Sequence, residues 1–304
     1  MDYIQWLSDY CPDKIAEANK AISQVKTGSR IFIGTGSGEP QHLIRTMVQK
    51  SELDDITIYQ MLSQTLADYV EDESFLRRFS LKLFFISLAM RKAAFEGKID
   101  YIPAYLSQVP RLFYRRRIGL DVALVQVSPP DRFGNCSLGV SVDITRAGVD
   151  NSQLVIAQVN PMMPRTSGDS FVHVDEIDYL VLHEEPLVVS LPTLTETEVA
   201  RRIGRYVSRL VDNGATLHLG FGQLPYSILK YLDEKQNLGV HTHLISDGFL
   251  PLFEKKVITN KKKTFLPGRV VASLCMGSEN IYNYVNDNPM FYFRSSEFVN
   301  DPTV

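Results

Sequence analysis

His241 and His243, one residue apart in VHTHLISDGF, are the first residues whose types and spacing suggest chemistry. In a strand, positions i and i+2 face the same way, so both imidazoles could reach one metal ion, with Asp247 near enough in sequence to join them. Two ligands leave such a site incomplete. The other histidines, His42, His173, His183 and His218, supply no third at a telling spacing. The expectation is that no metal binds.

A second kind of chemistry is offered by glycine-rich turns. IGTGSGEPQHLI carries Gly34, Gly36 and Gly38, but Glu39 stands where a dinucleotide fingerprint needs its third glycine. The spacing still describes a tight strand-to-helix turn, with Pro40 suited to the first helical position. Its backbone N–H groups could hold a phosphate or a developing oxyanion, or the glycines could serve geometry alone. LGFGQLPYSIL repeats the pattern with Gly220, Gly222 and Pro225. Two such turns in corresponding places point to a site between two units. Arg165, in QVNPMMPRTSGDS, is either a clamp for a carboxylate or phosphate or a solvated loop charge. The lysine run 261–263 reads as a solvated loop, and SPPDRFGNCSLGVSVD, dense in turn formers, as a structural excursion.

The elements that must position these residues alternate between helical and β-rich patterns. PDKIAEANKAISQVK and QHLIRTMVQK read as helices, and RIFI, DITIYQML, DVALVQVS and QLVIAQVN as strands. The last two runs are continuously apolar, which suits strands buried on both faces of a parallel sheet. The pattern restarts after a proline-containing connector, with Thr195 as the expected N-cap of EVARRIGRYVSRL and Glu198 three residues on. TLHLG, GVHTHLI and VVASLCM follow as strands, and YSILKYLDEKQ and ENIYNYV as helices. The fold class is therefore α/β, with two related α/β domains expected at 1–190 and 191–304.

Bulk properties narrow the class of function. A chain of 304 residues, 44% hydrophobic and 22% charged, has the composition of a soluble globular protein with a sizeable core. A formal net charge of −3 gives no general attraction to nucleic acid or anionic membrane. Cys11, Cys136 and Cys275 are odd in number, far apart and without CxxC spacing, so neither a disulfide framework nor a cysteine zinc site is expected. The N-terminus lacks a signal-peptide h-region, and LKLFFISLAM is about half the length of a membrane span. A cytoplasmic location is the expectation.

Taken together, GTGSGEPQHLI, SPPDRFGNCSLGVSVD, QVNPMMPRTSGDSFVHVDEID, GATLHLGFGQLPYSIL, LGVHTHLISDGF and MGSENIYNYV resemble the acetyl-CoA hydrolase/4-hydroxybutyrate CoA-transferase family of class I CoA-transferases. The resemblance implies two CoA-transferase-like α/β domains with an acyl-CoA between them. It implies coenzyme A as co-substrate, a short-chain acyl-CoA and a carboxylic acid as partners, and a homodimer. It also implies covalent catalysis by a glutamate that becomes a glutamyl-CoA thioester. That glutamate lies in a segment resembling HTEMFSDG, whereas this chain has HTHLISDG, with His243 in its place. By the same resemblance Gly36, Ser37 and Gly38 border the acyl carbonyl, and Gly220, Phe221, Gly222, Gln223 and Leu224 contact CoA. Glu279, in GSEN, is the alternative acid, though Ser278 before it also reads as a helix N-cap. Family chains continue beyond the region matching FVNDPTV, so the second domain is expected to be incomplete here. Two functions stay open: an acyl-CoA hydrolase or CoA-transferase working through His243, and a catalytically impaired CoA-binding module.

Overall fold

The structure is a computed structural model, and it describes residues 2–190, 196–220 and 222–303. In chain order the strands of the first region are β1 (Arg30–Ile33), β2 (Ile56–Gln60), β3 (Phe79–Leu83), β4 (Asp100–Tyr101), β5 (Val122–Val127), β6 (Asn135–Ser137), β7 (Leu154–Val159), β8 (Phe171–His173) and β9 (Tyr179–Leu182). The second region adds β10 (Thr216–Leu217), β11 (Gly239–Ile245), β12 (Val270–Cys275) and β13 (Phe291–Phe293).

Seven of these strands form one parallel sheet in the order β4-β3-β2-β1-β5-β7-β9. The order reverses direction between β1 and β5, which is the topological switch point where open α/β sheets leave a crevice beyond their carboxyl ends. The GTGSG turn leaves β1 at that point. β10-β11-β12-β13 form a second parallel sheet, and β6 and β8 a short antiparallel ribbon. All six residues of β5 and of β12 are buried, as their continuously apolar runs require.

The two larger sheets share a core. One apolar cluster runs from Leu7 through Val125 and Val140 to Leu244, Leu274 and Phe293, while a second lies on the other face of the seven-stranded sheet. Backbone bonds cross between them: Val142 N–H donates to the Ser273 carbonyl at 3.1 Å and Cys275 N–H to the Val140 carbonyl at 2.8 Å. Cys11, Cys136 and Cys275 are free and buried. Among the described residues no helix is long and apolar enough to cross a membrane.

Several expected elements change shape. The helix expected over 12–26 is broken into Pro12–Lys14 and Ala18–Ile22, because Ile15 bridges to Leu180 and Ala16 N–H donates to the Leu180 carbonyl. Thr195, the expected N-cap, lies outside the described residues. Thr197 caps the helix Glu198–Leu210 instead, its hydroxyl accepting from Ala200 N–H at 3.1 Å. The helix of the second glycine turn begins at Gln223 and stops at Leu229, well short of the expected end.

Candidate active site

His241 and His243 come from β11, whose alternation leaves both half-buried on one face between the buried Val240, Thr242 and Leu244. Their rings nevertheless have different neighbours. His241 stacks on Phe298, with ring centroids 6.2 Å apart, and Phe265 lies 6.4 Å away. His243 lines a cavity, and its Nδ1 is 3.3 Å from Asn300 Nδ2. Parallel pairing of β10 with β11 brings in a third imidazole, His218, one residue beyond the Leu217–Val240 pair. Spacing along the chain hides this histidine, since strand pairing places it. Among the described residues no three His, Cys, Asp or Glu side chains are placed to hold a metal ion.

The cavity is about 170 Å³ and draws on both sheets. The seven-stranded side supplies Met61 and Leu62 from the end of β2, and Phe85 from beyond β3. The other side supplies His218, Leu219, Gly220, His243, Leu244, Leu274 and Met276, with Leu106 and Asn300 closing it. Burial pushes the His243 imidazole down to about 4, and nearby His218 disfavours its charge further. The same two kinds of influence lower His241, where burial comes first and then the Lys263 ammonium and His218. At neutral pH the cavity wall therefore carries a neutral imidazole.

The two glycine turns differ in kind. Gly36, Ser37 and Gly38 are fully buried. Gly36 N–H donates to the Leu62 carbonyl at 3.0 Å and Gly38 N–H to the Thr35 carbonyl at 3.0 Å. Their missing side chains make room for packing: a Cβ on Gly36 would lie 3.1 Å from Met276 Sδ, and one on Gly38 only 2.4 Å from Ser141 Oγ. Ser37 is tied to the second region by Tyr282, whose Oη lies 2.7 Å from Ser37 Oγ, 2.8 Å from the Val188 carbonyl and 3.0 Å from Gly277 N. A Cβ on Gly220 or Gly222, by contrast, would meet nothing within 4 Å among the described residues, and Gly222 has a φ of +124°, which favours glycine. Gln223 opens the following helix, Leu224 is exposed, and Phe221 lies outside the described residues.

The remaining candidates are structural. Arg165 is neither a clamp nor a solvated charge: it bonds Asp131 at 2.7 Å and the Asn135 carbonyl at 3.0 Å, and lies over the Phe171 ring. The lysine run is solvated at Lys261 and Lys262, as expected, but not at Lys263, which is only 5% exposed, with Nζ donating to the Val240 and Arg269 carbonyls. Burial pushes its ammonium down to about 8. Asp247 accepts from Ser278 N–H at 2.9 Å and bonds the Ser278 hydroxyl. Ser278 caps the helix Glu279–Val285 and leaves Glu279 exposed, away from the cavity wall. Glu39, where a third glycine would stand in a dinucleotide fold, is fully buried and accepts from Gln60, Gln64 N–H and Thr65 N–H. Burial still raises its carboxyl to about 7.

Residues 3–192 match the model of the acetyl-CoA hydrolase/transferase N-terminal domain. The chain belongs to that family. It is 40% identical to the 4-hydroxybutyrate coenzyme A transferase of Clostridium kluyveri over 99% of its own length and 70% of that protein. It is 35% identical to the succinyl-CoA:acetate/propanoyl-CoA:succinate CoA transferase of Fasciola hepatica, over 96% of this chain and 61% of that one. The crystal structure of RipA from Yersinia pestis superposes with a TM-score of 0.90 at 28% identity, covering all of this chain and 72% of RipA. This membership agrees with the two parallel sheets and with the motif resemblance. The chain thus spans about two thirds of the length of these relatives.

Proposed function

We propose that this chain carries the acyl-CoA site of a CoA-transferase or acyl-CoA hydrolase, with His243 standing where the family's nucleophilic glutamate is expected. The observation that carries the reading is that His243, a neutral imidazole, lines an apolar cavity built jointly by both sheets. The open second turn, Gly220 and Gly222 to Leu224, would hold coenzyme A, since the absence of side chains there lets a ligand approach the backbone. In the first turn the amides of Gly36 and Gly38 already donate to the Leu62 and Thr35 carbonyls, so an oxyanion role there requires those bonds to open.

The change from carboxylate to imidazole alters the reaction. An imidazole nitrogen can attack the thioester carbonyl and release CoA thiolate, but the resulting acyl-imidazole is open to water and cannot become a glutamyl-CoA thioester. Hydrolysis is favoured over transfer. With Asn300 Nδ2 against Nδ1, the proton sits on Nε2, so attack through Nε2 requires a tautomer exchange. An imidazole held near 4 is a weak base toward water and a correspondingly weak nucleophile, so slow turnover is expected by either role.

The test is incubation of the protein with acetyl-CoA, with and without a second carboxylate. Thioester loss independent of the acceptor is expected. Loss only with acceptor, accompanied by a new acyl-CoA, would refute hydrolysis. The impaired-module alternative rests on the same residue, and His243→Glu separates the two: gain of transfer activity shows that the rest of the site is competent.

A further inference from the structure

The cavity beside His243 is defined as much by what it lacks as by what lines it. Met61, Leu62, Phe85, Leu244, Leu274 and Met276, with Leu106 and Leu219, form most of its wall, and no Lys, Arg, Asp or Glu reaches it among the described residues. Its polar groups are His218, His243 and Asn300. Asn300 Nδ2 is occupied by the Ser296 carbonyl at 3.2 Å and by His243 Nδ1. The His218 imidazole, like that of His243, is lowered by burial, so neither offers a positive charge at neutral pH.

We propose that this cavity is an acyl pocket selective for uncharged apolar acyl groups, covering up to about six carbons of the chain, and that it rejects acyl groups ending in a carboxylate. The proposal rests on the acyl-CoA reading given above and adds the substrate class. Size sets how much of the acyl chain the apolar wall can cover, because an apolar cavity of about 150 Å³ accommodates a six-carbon ring, and this one, which opens to solvent beside Phe85, is about 170 Å³. Chemistry sets the exclusion. A terminal carboxylate would lose its hydration and find no cation, and an unpaired buried ion is costly. A terminal hydroxyl would lose less but would still compete for the committed Asn300 amide.

Butyryl-CoA and succinyl-CoA make the decisive pair, since both acyl chains have four carbons and differ at the far end. Titration calorimetry on this chain at pH 7.5 uses the two as thioether analogues, which cannot be hydrolysed, with free CoA as reference, and measures the three dissociation constants. Butyryl-CoA is expected to bind at least roughly 100-fold more tightly than succinyl-CoA. Equal binding of the two, or tighter binding of succinyl-CoA, overturns the selectivity while leaving a CoA site in place. Failure of all three to bind overturns the acyl-CoA reading and this proposal together. Phe85, 41% exposed at the edge of the cavity, provides the second measurement. Phe85→Arg offers a counter-ion and is expected to narrow the ratio at least about 10-fold, whereas an unchanged ratio would show that the preference is not set in this cavity.

Discussion

At the scale of single residues, the imidazole of His243 is the feature on which the chemistry turns. Its value near 4 in the fold lies below the ordinary 6.5. As pH falls through 6.5 the unfolded chain takes up a proton that the folded chain refuses until about 4. Stability attributable to His243 is therefore present above 6.5 and lost through that window, by at most on the order of 3 kcal/mol. Glu39 acts with the opposite sign, since its raised carboxyl favours the fold at low pH and loses that contribution as pH rises through about 7. Comparison of the native chain with His243→Gln cancels the Glu39 effect. Denaturant unfolding at pH 7.5 and pH 4.5 is expected to show the native chain losing stability relative to the variant. Parallel curves would mean that the ring is solvated.

At the scale of elements, the first glycine turn depends on the helix Glu279–Val285. Tyr282 Oη meets Ser37, Val188 and Gly277 in a buried setting, so Tyr282→Phe keeps the ring packing and leaves those partners unmatched. A loss of about 1–3 kcal/mol in urea unfolding is expected. A change below about 0.5 kcal/mol would show that water replaces the hydroxyl. The same helix shows why Ser278 and Glu279 were separable in the sequence: an N-cap serine followed by an amphipathic run has a local explanation, and the structure gives it one. Arg165 and Lys263 had no local signal of that kind, because their partners, Asp131 and the Val240 carbonyl, are 34 and 23 residues away.

At the scale of the whole molecule, the loop 160–170 links the seven-stranded region to β13. Asp169 N–H donates to the Phe293 carbonyl at 2.8 Å, and Phe293 N–H donates to the Ser167 carbonyl at 2.7 Å. Gly168 between them has a φ of +113°, and a Cβ there would lie 2.0 Å from the Phe293 oxygen. Gly168→Ala is expected to cost at least about 2 kcal/mol, read as a lower thermal midpoint. Because the sheets share a core, fluorescence of Trp6, the only tryptophan, and far-UV circular dichroism are expected to report one coincident transition. Two separated transitions would show that the regions unfold independently.

Local patterns in the chain were enough for the α/β class, the buried parallel strands β5 and β7, the strands β11 and β12, the two glycine turns and the histidine at position 243, because each is written in residues close together. The tertiary structure alone decided what those features face. It buried Gly36 to Gly38 under Met276 and Ser141, left Gly220 and Gly222 open, and brought His218 beside β11. The physical reason is that packing and desolvation act between surfaces distant in sequence: the same glycine spacing serves a sealed turn where another sheet covers it and, among the described residues, an open one where none does.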